Sequence, residues 1–88
     1  MAGLEGLEQL RRMIDDIDDK ILELLDKRME MCRRIGELKA KQGRQVVDHR
    51  RTAEVLEKAG RYRGIYVHII DACIKEQEKL LTKNNREK

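Results

Sequence analysis

Arg28 and Lys39 stand eleven positions apart, which on a helix is three turns and about 16 Å of rise, so the two cations share one face. Two long basic side chains spaced in this way can bracket a small polyanion. Arg11 lies seventeen positions ahead of Arg28, about 25 Å along the same helix, too far to share that ligand within one chain but within reach from an antiparallel second copy. Arg51 and Gln77 add a further cation and a neutral amide, and Asp48 heads the segment that carries Arg51. The set holds cations and hydrogen-bond donors without a nucleophile paired to a base, so it suits electrostatic work on an anion better than covalent chemistry. Each residue also has a structural use. Arg28 could pair with Asp18 and set helix register, Lys39 could be a solvated cation at a helix end, and Gln77 could be a satisfied core amide. Arg11 and Arg51 could be surface charges, and Asp48 reads as a helix cap whatever else it does.

The element that must position most of these groups is one long helix, expected over residues 7–42. Leu7, Leu10, Ile14, Ile17, Ile21, Leu24, Met31, Ile35 and Leu38 occupy the a and d positions of a heptad repeat, and Arg28 is the one charged residue in that seam. Beside it runs a second column of Arg11, Asp18, Leu25, Cys32 and Lys39. Such a helix is about 54 Å long, whereas a compact chain of this size is on the order of 30 Å across. The overhanging seam calls for a second copy of the chain, and a two-fold dimer is the simplest closed arrangement.

Gly36, inside this helix, costs about 1 kcal/mol relative to alanine and suggests close approach of another element. Gly43 is a suitable C′ residue, with Lys39 and Lys41 in the last turn where the helix dipole favours cations. Residues 44–47 form a connector, and Asp48 caps a short helix over residues 49–59 with Val55, Leu56 and Ala59 inward. Residues 60–64 read as a tight connection. A third helix is expected from Ile65 to Leu81 or Thr82, with Tyr66, Ile69, Ile70, Cys73, Gln77, Leu80 and Leu81 on one stripe. The lead, residues 1–6, is expected to fray and the polar tail, residues 83–88, to be disordered. The expected architecture is a single all-α domain of long, short and medium helices in an intertwined helical homodimer.

Composition narrows the classes further. The 88 residues contain no proline, phenylalanine or tryptophan, and 42% are charged with both signs interleaved, for a net charge of +3. Nucleic-acid binders concentrate their cations and add stacking aromatics, and this chain does neither clearly. No long apolar run or signal-peptide core is present, so the expectation is a soluble cytoplasmic protein with no membrane partner. Cys32 and Cys73 lack metal-type spacing and read as small buried hydrophobes in a reducing compartment. No metal is expected.

Five runs carry a family resemblance: Leu10-Arg11-Arg12-Met13-Ile14-Asp15-Asp16-Ile17-Asp18, Leu24-Leu25-Asp26-Lys27-Arg28, Ile35-Gly36-Glu37-Leu38-Lys39, Val47-Asp48-His49-Arg50-Arg51 and Ile69-Ile70-Asp71-Ala72-Cys73-Ile74-Lys75-Glu76-Gln77. Together they resemble the all-helical chorismate mutases over about nine-tenths of the chain. The resemblance implies a homodimer with two active sites, each lined mainly by one subunit and completed by an arginine from the other. It implies that Arg28 and the second copy's Arg11 hold the two carboxylates of chorismate. Lys39 and Gln77 would donate to the ether oxygen, Arg51 would support the carboxylate end, and Asp48 would lie beside the ring hydroxyl. Thr52 stands where family prototypes have a glutamate, and Cys73 where they often have a serine, a stronger donor. The second helix and its following loop are shorter than in familiar members by roughly three turns.

Conversion of chorismate to prephenate is a unimolecular pericyclic rearrangement, so the resemblance implies no cofactor, base or covalent intermediate. What remains to be supplied is conformation and charge. Two other readings stay open: an isochorismate pyruvate-lyase of the same fold, and a non-catalytic helical dimer that is regulatory or a designed scaffold.

Overall fold

A computed structural model describes the backbone of residues 2–87 and the side chains of residues 6–81. Three α-helices follow one another, α1 (Ala2–Gln42), α2 (His49–Ala59) and α3 (Arg63–Glu87), with a 3₁₀ turn at Gly60–Tyr62 between the last two. The all-α class agrees with the periodicity, and three boundaries differ from expectation. α1 starts at Ala2, not after a frayed lead. Once the body of a helix exists, each added residue gains a hydrogen bond at low cost, so Ala2, Leu4 and Glu5 carry it outward despite Gly6. α3 likewise begins at Arg63 and runs to Glu87, through the tail expected to be disordered, because nothing after Gly64 is a proline or glycine that would stop it.

The end of α1 is set by Gly43, whose φ of +66° lies in the left-handed region. Its N–H donates to the Ala40 carbonyl at 3.4 Å and the Arg44 N–H to the Lys39 carbonyl at 2.8 Å, the paired reversal that satisfies orphan carbonyls at a helix end. The Asp48 carboxylate accepts the Arg51 N–H at 3.1 Å and so begins α2 where the sequence placed it. Gly60, with φ +57°, ends α2 and lets its N–H donate to Glu57 O.

α3 packs against both α1 and α2, while α1 and α2 do not approach closely. Cys32 stands beside Cys73 and Gly36 beside Gln77, so α1 and α3 run parallel with a constant offset of 41 residues. A parallel pair needs a return path, and α2, about 16 Å long, supplies it. The three helices enclose a cleft open on one side.

The molecule measures 66 × 28 × 14 Å, with a radius of gyration of 18.1 Å against about 12 Å for a compact chain of this length. The elongation is almost entirely α1. The a/d seam is not the face that meets α3: Leu7, Leu10, Ile14, Ile17, Ile21 and Leu24 are 43 to 62% exposed, and Met31, Ile35 and Leu38 are also exposed. Contact with α3 uses the neighbouring column, where Leu25, Met29 and Lys39 are half-buried and Cys32 and Gly36 buried. Small residues win that place because they let two backbones come together. A Cβ built on Gly36 would meet Gln77 Cγ and Leu80 Cδ1 at 3.0 Å.

On its outer edge the α1–α3 pair is tied by ion pairs. Glu30 pairs closely with Arg33, which reaches Glu76 of α3 at 3.8 Å, and Lys79 joins Glu76 at 3.7 Å. The hydrogen bond and charge of Arg33 hold the Glu30 carboxyl below the usual carboxylate range.

Candidate active site

The cleft between the three helices has a volume of about 370 Å³, within the range of small-ligand sites. Its polar lining is Arg28, Lys39, Asp48, Arg51, Thr52 and Gln77, on an apolar wall that includes Met31, Ile35, Val55, Ile70 and Ile74. Cys73 lines it too. The structure therefore brings together seven of the eight residues expected to bind substrate. The eighth, Arg11, lies outside on the exposed part of α1, where it contacts Glu8 at 3.4 Å.

Lys39 is held at one end of the cleft by the turn that closes α1. That turn folds the connector back, so Lys39 Nζ donates to the Val46 carbonyl at 2.6 Å and to Gln77 Oε1 at 3.1 Å. An ammonium has three hydrogens, and these contacts use two. Gln77 is 4% exposed, and its Nε2 donates to Cys73 Sγ at 3.2 Å, which uses one of two amide hydrogens. One hydrogen on each group is left for a ligand. Gln77 is thus a buried, hydrogen-bonded amide that also lines the cleft.

Arg28, three turns away, contacts Cys32 Sγ at 3.6 Å through Nη1 and lies 5.9 Å from the centre of the Tyr66 ring. The latter distance is at the outer limit of a cation–π contact. Among the described residues no ion pair joins Arg28 to Asp18 or to another carboxylate, so the register-setting alternative is not the arrangement found. Arg51 is exposed at the rim and meets Glu54 at 3.4 Å. The Asp48 carboxyl is held below its ordinary range, first by the Arg51 backbone N–H and also by the charges of Lys39 and Arg44. At neutral pH the cleft carries three cations against one carboxylate, a balance suited to a dianion.

The cysteines differ from expectation. Cys32 and Cys73 are not free thiols but a disulfide joining α1 to α3, with Cα atoms 5.5 Å apart. The parallel helices bring two positions 41 residues apart face to face, a separation within the range such bridges require. Cys73 accordingly has no S–H to offer a carboxylate and acts as an acceptor from Gln77. The inference of a reducing compartment, which rested on free cysteines, loses that support. Sequence reasoning also missed the Val46 carbonyl as an anchor for Lys39. Tyr66 was read as a packing residue, although its place one turn ahead of Ile69 and Ile70 on the α3 stripe was visible.

The fold and cleft define an all-helical protein with a preformed cleft lined by Arg28, Lys39 and Arg51, set beside a long helix whose apolar seam is exposed. The chain belongs to the type II chorismate mutase family, whose model matches residues 10–65. It is 38% identical over 68 residues to a 3-dehydroquinate dehydratase of Pyrobaculum aerophilum, covering 77% of this chain and 23% of that protein. It is 36% identical over 91 residues to a bifunctional chorismate mutase/prephenate dehydratase of Aquifex aeolicus, covering 88% of this chain and 25% of the relative. The chain thus spans about a quarter of the length of these two curated relatives. Among solved structures, a conserved hypothetical protein from Pyrococcus furiosus superposes with a TM-score of 0.81 at 38% identity, over 82% of this chain and 95% of that one. Among the described residues no helix is long and apolar enough to cross a membrane.

Proposed function

We propose that two copies of this chain form a chorismate mutase, which rearranges chorismate to prephenate on the route to phenylalanine and tyrosine. The observation that carries the proposal is the convergence of Arg28, Lys39, Asp48, Arg51, Thr52, Cys73 and Gln77 on one cleft. The family and the bifunctional relative supply the reaction.

In this reading Arg28 and Arg11 of the second copy grip the two carboxylates and select the compact conformer in which the reacting carbons meet, an effect of orientation. Arg51 supports the carboxylate end from the rim. As the C–O bond breaks, negative charge grows on the ether oxygen, and the remaining hydrogens of Lys39 and Gln77 stabilise it more in the transition state than in the substrate. Asp48, ionised and capping α2, accepts from the ring hydroxyl. Thr52 adds a neutral hydroxyl where a carboxylate would have reduced the positive balance of the site. No step asks for a metal or organic cofactor.

Dimerisation belongs to the same proposal. The exposed seam of α1 supports it: each of its large apolar side chains, already about half covered, would contribute about 1 kcal/mol when the rest of its surface leaves water. Laying two such helices antiparallel carries Arg11 toward the other copy's Arg28. A cytoplasmic location is also part of this proposal. Chorismate consumption and prephenate formation, measured with molar mass, test the reading. Prephenate from a particle of twice the 10.4 kDa chain mass is expected. Salicylate and pyruvate from isochorismate, without prephenate from chorismate, would replace the mutase by the lyase. Turnover of neither would leave a binding module.

A further inference from the structure

The Cys32–Cys73 bridge stands in the wall of the cleft and is in contact with the groups expected to work there. Cys32 is 3% exposed and one turn from Arg28, which donates to its sulfur; Cys73 is one turn from Gln77, which donates to its sulfur in turn. The next turn along the same contact is the tight meeting of Gly36 with Gln77. Two unbonded sulfurs require van der Waals separation, so opening the bridge obliges either the two side chains or the two helices to part. Gly36 leaves little room for the change to be absorbed beside Gln77. The groups first displaced would be Arg28 and Gln77, because the sulfurs are their protein acceptors.

We infer that Cys32 and Cys73 are a redox-controlled positioning pair: the closed bridge holds Arg28 and Gln77 in the geometry the cleft requires, and reduction loosens both. In closure, the Cys73 thiolate attacks a small-molecule disulfide and expels one thiolate. The Cys32 thiolate then attacks the Cys73 sulfur and expels the second. Two electrons pass to the small disulfide, and the two protons lost by the cysteines appear on its two thiols. Opening is the reverse, with a small thiol as reductant. Both sulfurs belong to residues that line the cleft, and Cys73 is the less buried of the two, so the cleft offers a reductant a path to Cys73. A dianion seated there therefore protects the bridge.

The activity part of this inference rests on the proposed mutase reading; the covalent part does not. Alkylation of the unfolded full-length chain with iodoacetamide, read by mass spectrometry, should add no label after treatment with oxidised glutathione and two labels after dithiothreitol. Two labels in both samples would overturn the inference. Amide hydrogen exchange across residues 66–80 should quicken on reduction whether or not the protein turns anything over, and unchanged exchange would overturn the positioning role. With chorismate, kcat should fall by about tenfold on reduction, the scale of a misplacement of under 1 Å, with a smaller change in KM and recovery on reoxidation. A kcat within twofold in both states would mark the bridge as a brace without influence on the site. The C32A/C73A variant should show the lower kcat with or without dithiothreitol. Sensitivity to dithiothreitol in that variant would place the effect elsewhere. If oxidised protein does not turn over chorismate, the mutase reading fails while the labelling and exchange results still decide the bridge.

Discussion

The two halves of α1 carry the same heptad and meet different surroundings. From residue 25 to residue 40 one side of the helix is covered by α3, and the cleft opens beside that contact. From residue 7 to residue 24 every residue is exposed, although the seam there is as apolar as any part of the chain. Periodicity alone does not separate these halves. What separates them is length: with an offset of 41, the start of α3 at Arg63 falls opposite residue 22, and among the described residues no other element contacts α1 beyond it. The C-terminal half of α1 lines a cleft with basic side chains, and the N-terminal half presents an exposed apolar seam.

The largest effects should come from the site half. Lys39→Ala and Arg28→Ala are each expected to lower kcat for chorismate by about 100- to 1,000-fold, with molar mass and helical circular dichroism unchanged. Near-native turnover by either variant would end the site assignment. Arg11→Ala should impair turnover although Arg11 lies outside its own cleft. Mixing R11A with K39A protein through unfolding and refolding should restore about a quarter of wild-type activity, the share of intact sites in randomly paired two-fold dimers. Mixed protein no more active than its parents would sever the two halves of α1 functionally.

In the exposed half, Ile17→Asp should abolish association, read as a fall in sedimentation mass toward that of one chain. Persistence of the doubled mass would show that the seam is not the interface. Gly36→Ala should destabilise by about 1–3 kcal/mol through overpacking and lower kcat by moving Gln77, as seen by denaturant titration together with a steady-state assay. A stabilised, fully active variant would mean that the Gln77 and Leu80 side chains simply step aside.

The smallest effect expected is at the cap. The Asp48 carboxyl titrates below its ordinary value, so its contribution to stability is fully present above a pH of about 3.9 and is lost as pH falls through the lowered folded-state value. The wild-type advantage over Asp48→Asn in thermal midpoint should therefore shrink with acid in that window. An advantage that is constant from pH 6 to pH 2 would show that the charge is not what the cap contributes.

Much of the site was legible because its residues lie at fixed steps on helices. Arg28, Lys39, Arg51 and Gln77 were placed by spacing and type, and the family resemblance added Asp48, Thr52 and Cys73; all seven line one cleft. Gly36 was read as a point of close approach, and it meets Gln77. The anchoring of Lys39 by Val46 was not legible, since a connector's backbone carbonyl has no side-chain signature. Nor was the disulfide, because pairing two cysteines requires the register of two helices, which no local pattern states.

By itself the sequence determined that the chain is helical, where α1 and α2 end, and which cations share a face, because period, capping residues and glycine act within a turn or two of where they stand. Only the tertiary structure decided which face of α1 meets α3. Two columns of that helix were candidates, and the narrower one, with Cys32 and Gly36, permits the closest approach of backbones. That choice left the larger apolar residues outside, joined Cys32 to Cys73, and turned Arg28, Lys39 and Gln77 toward a common space.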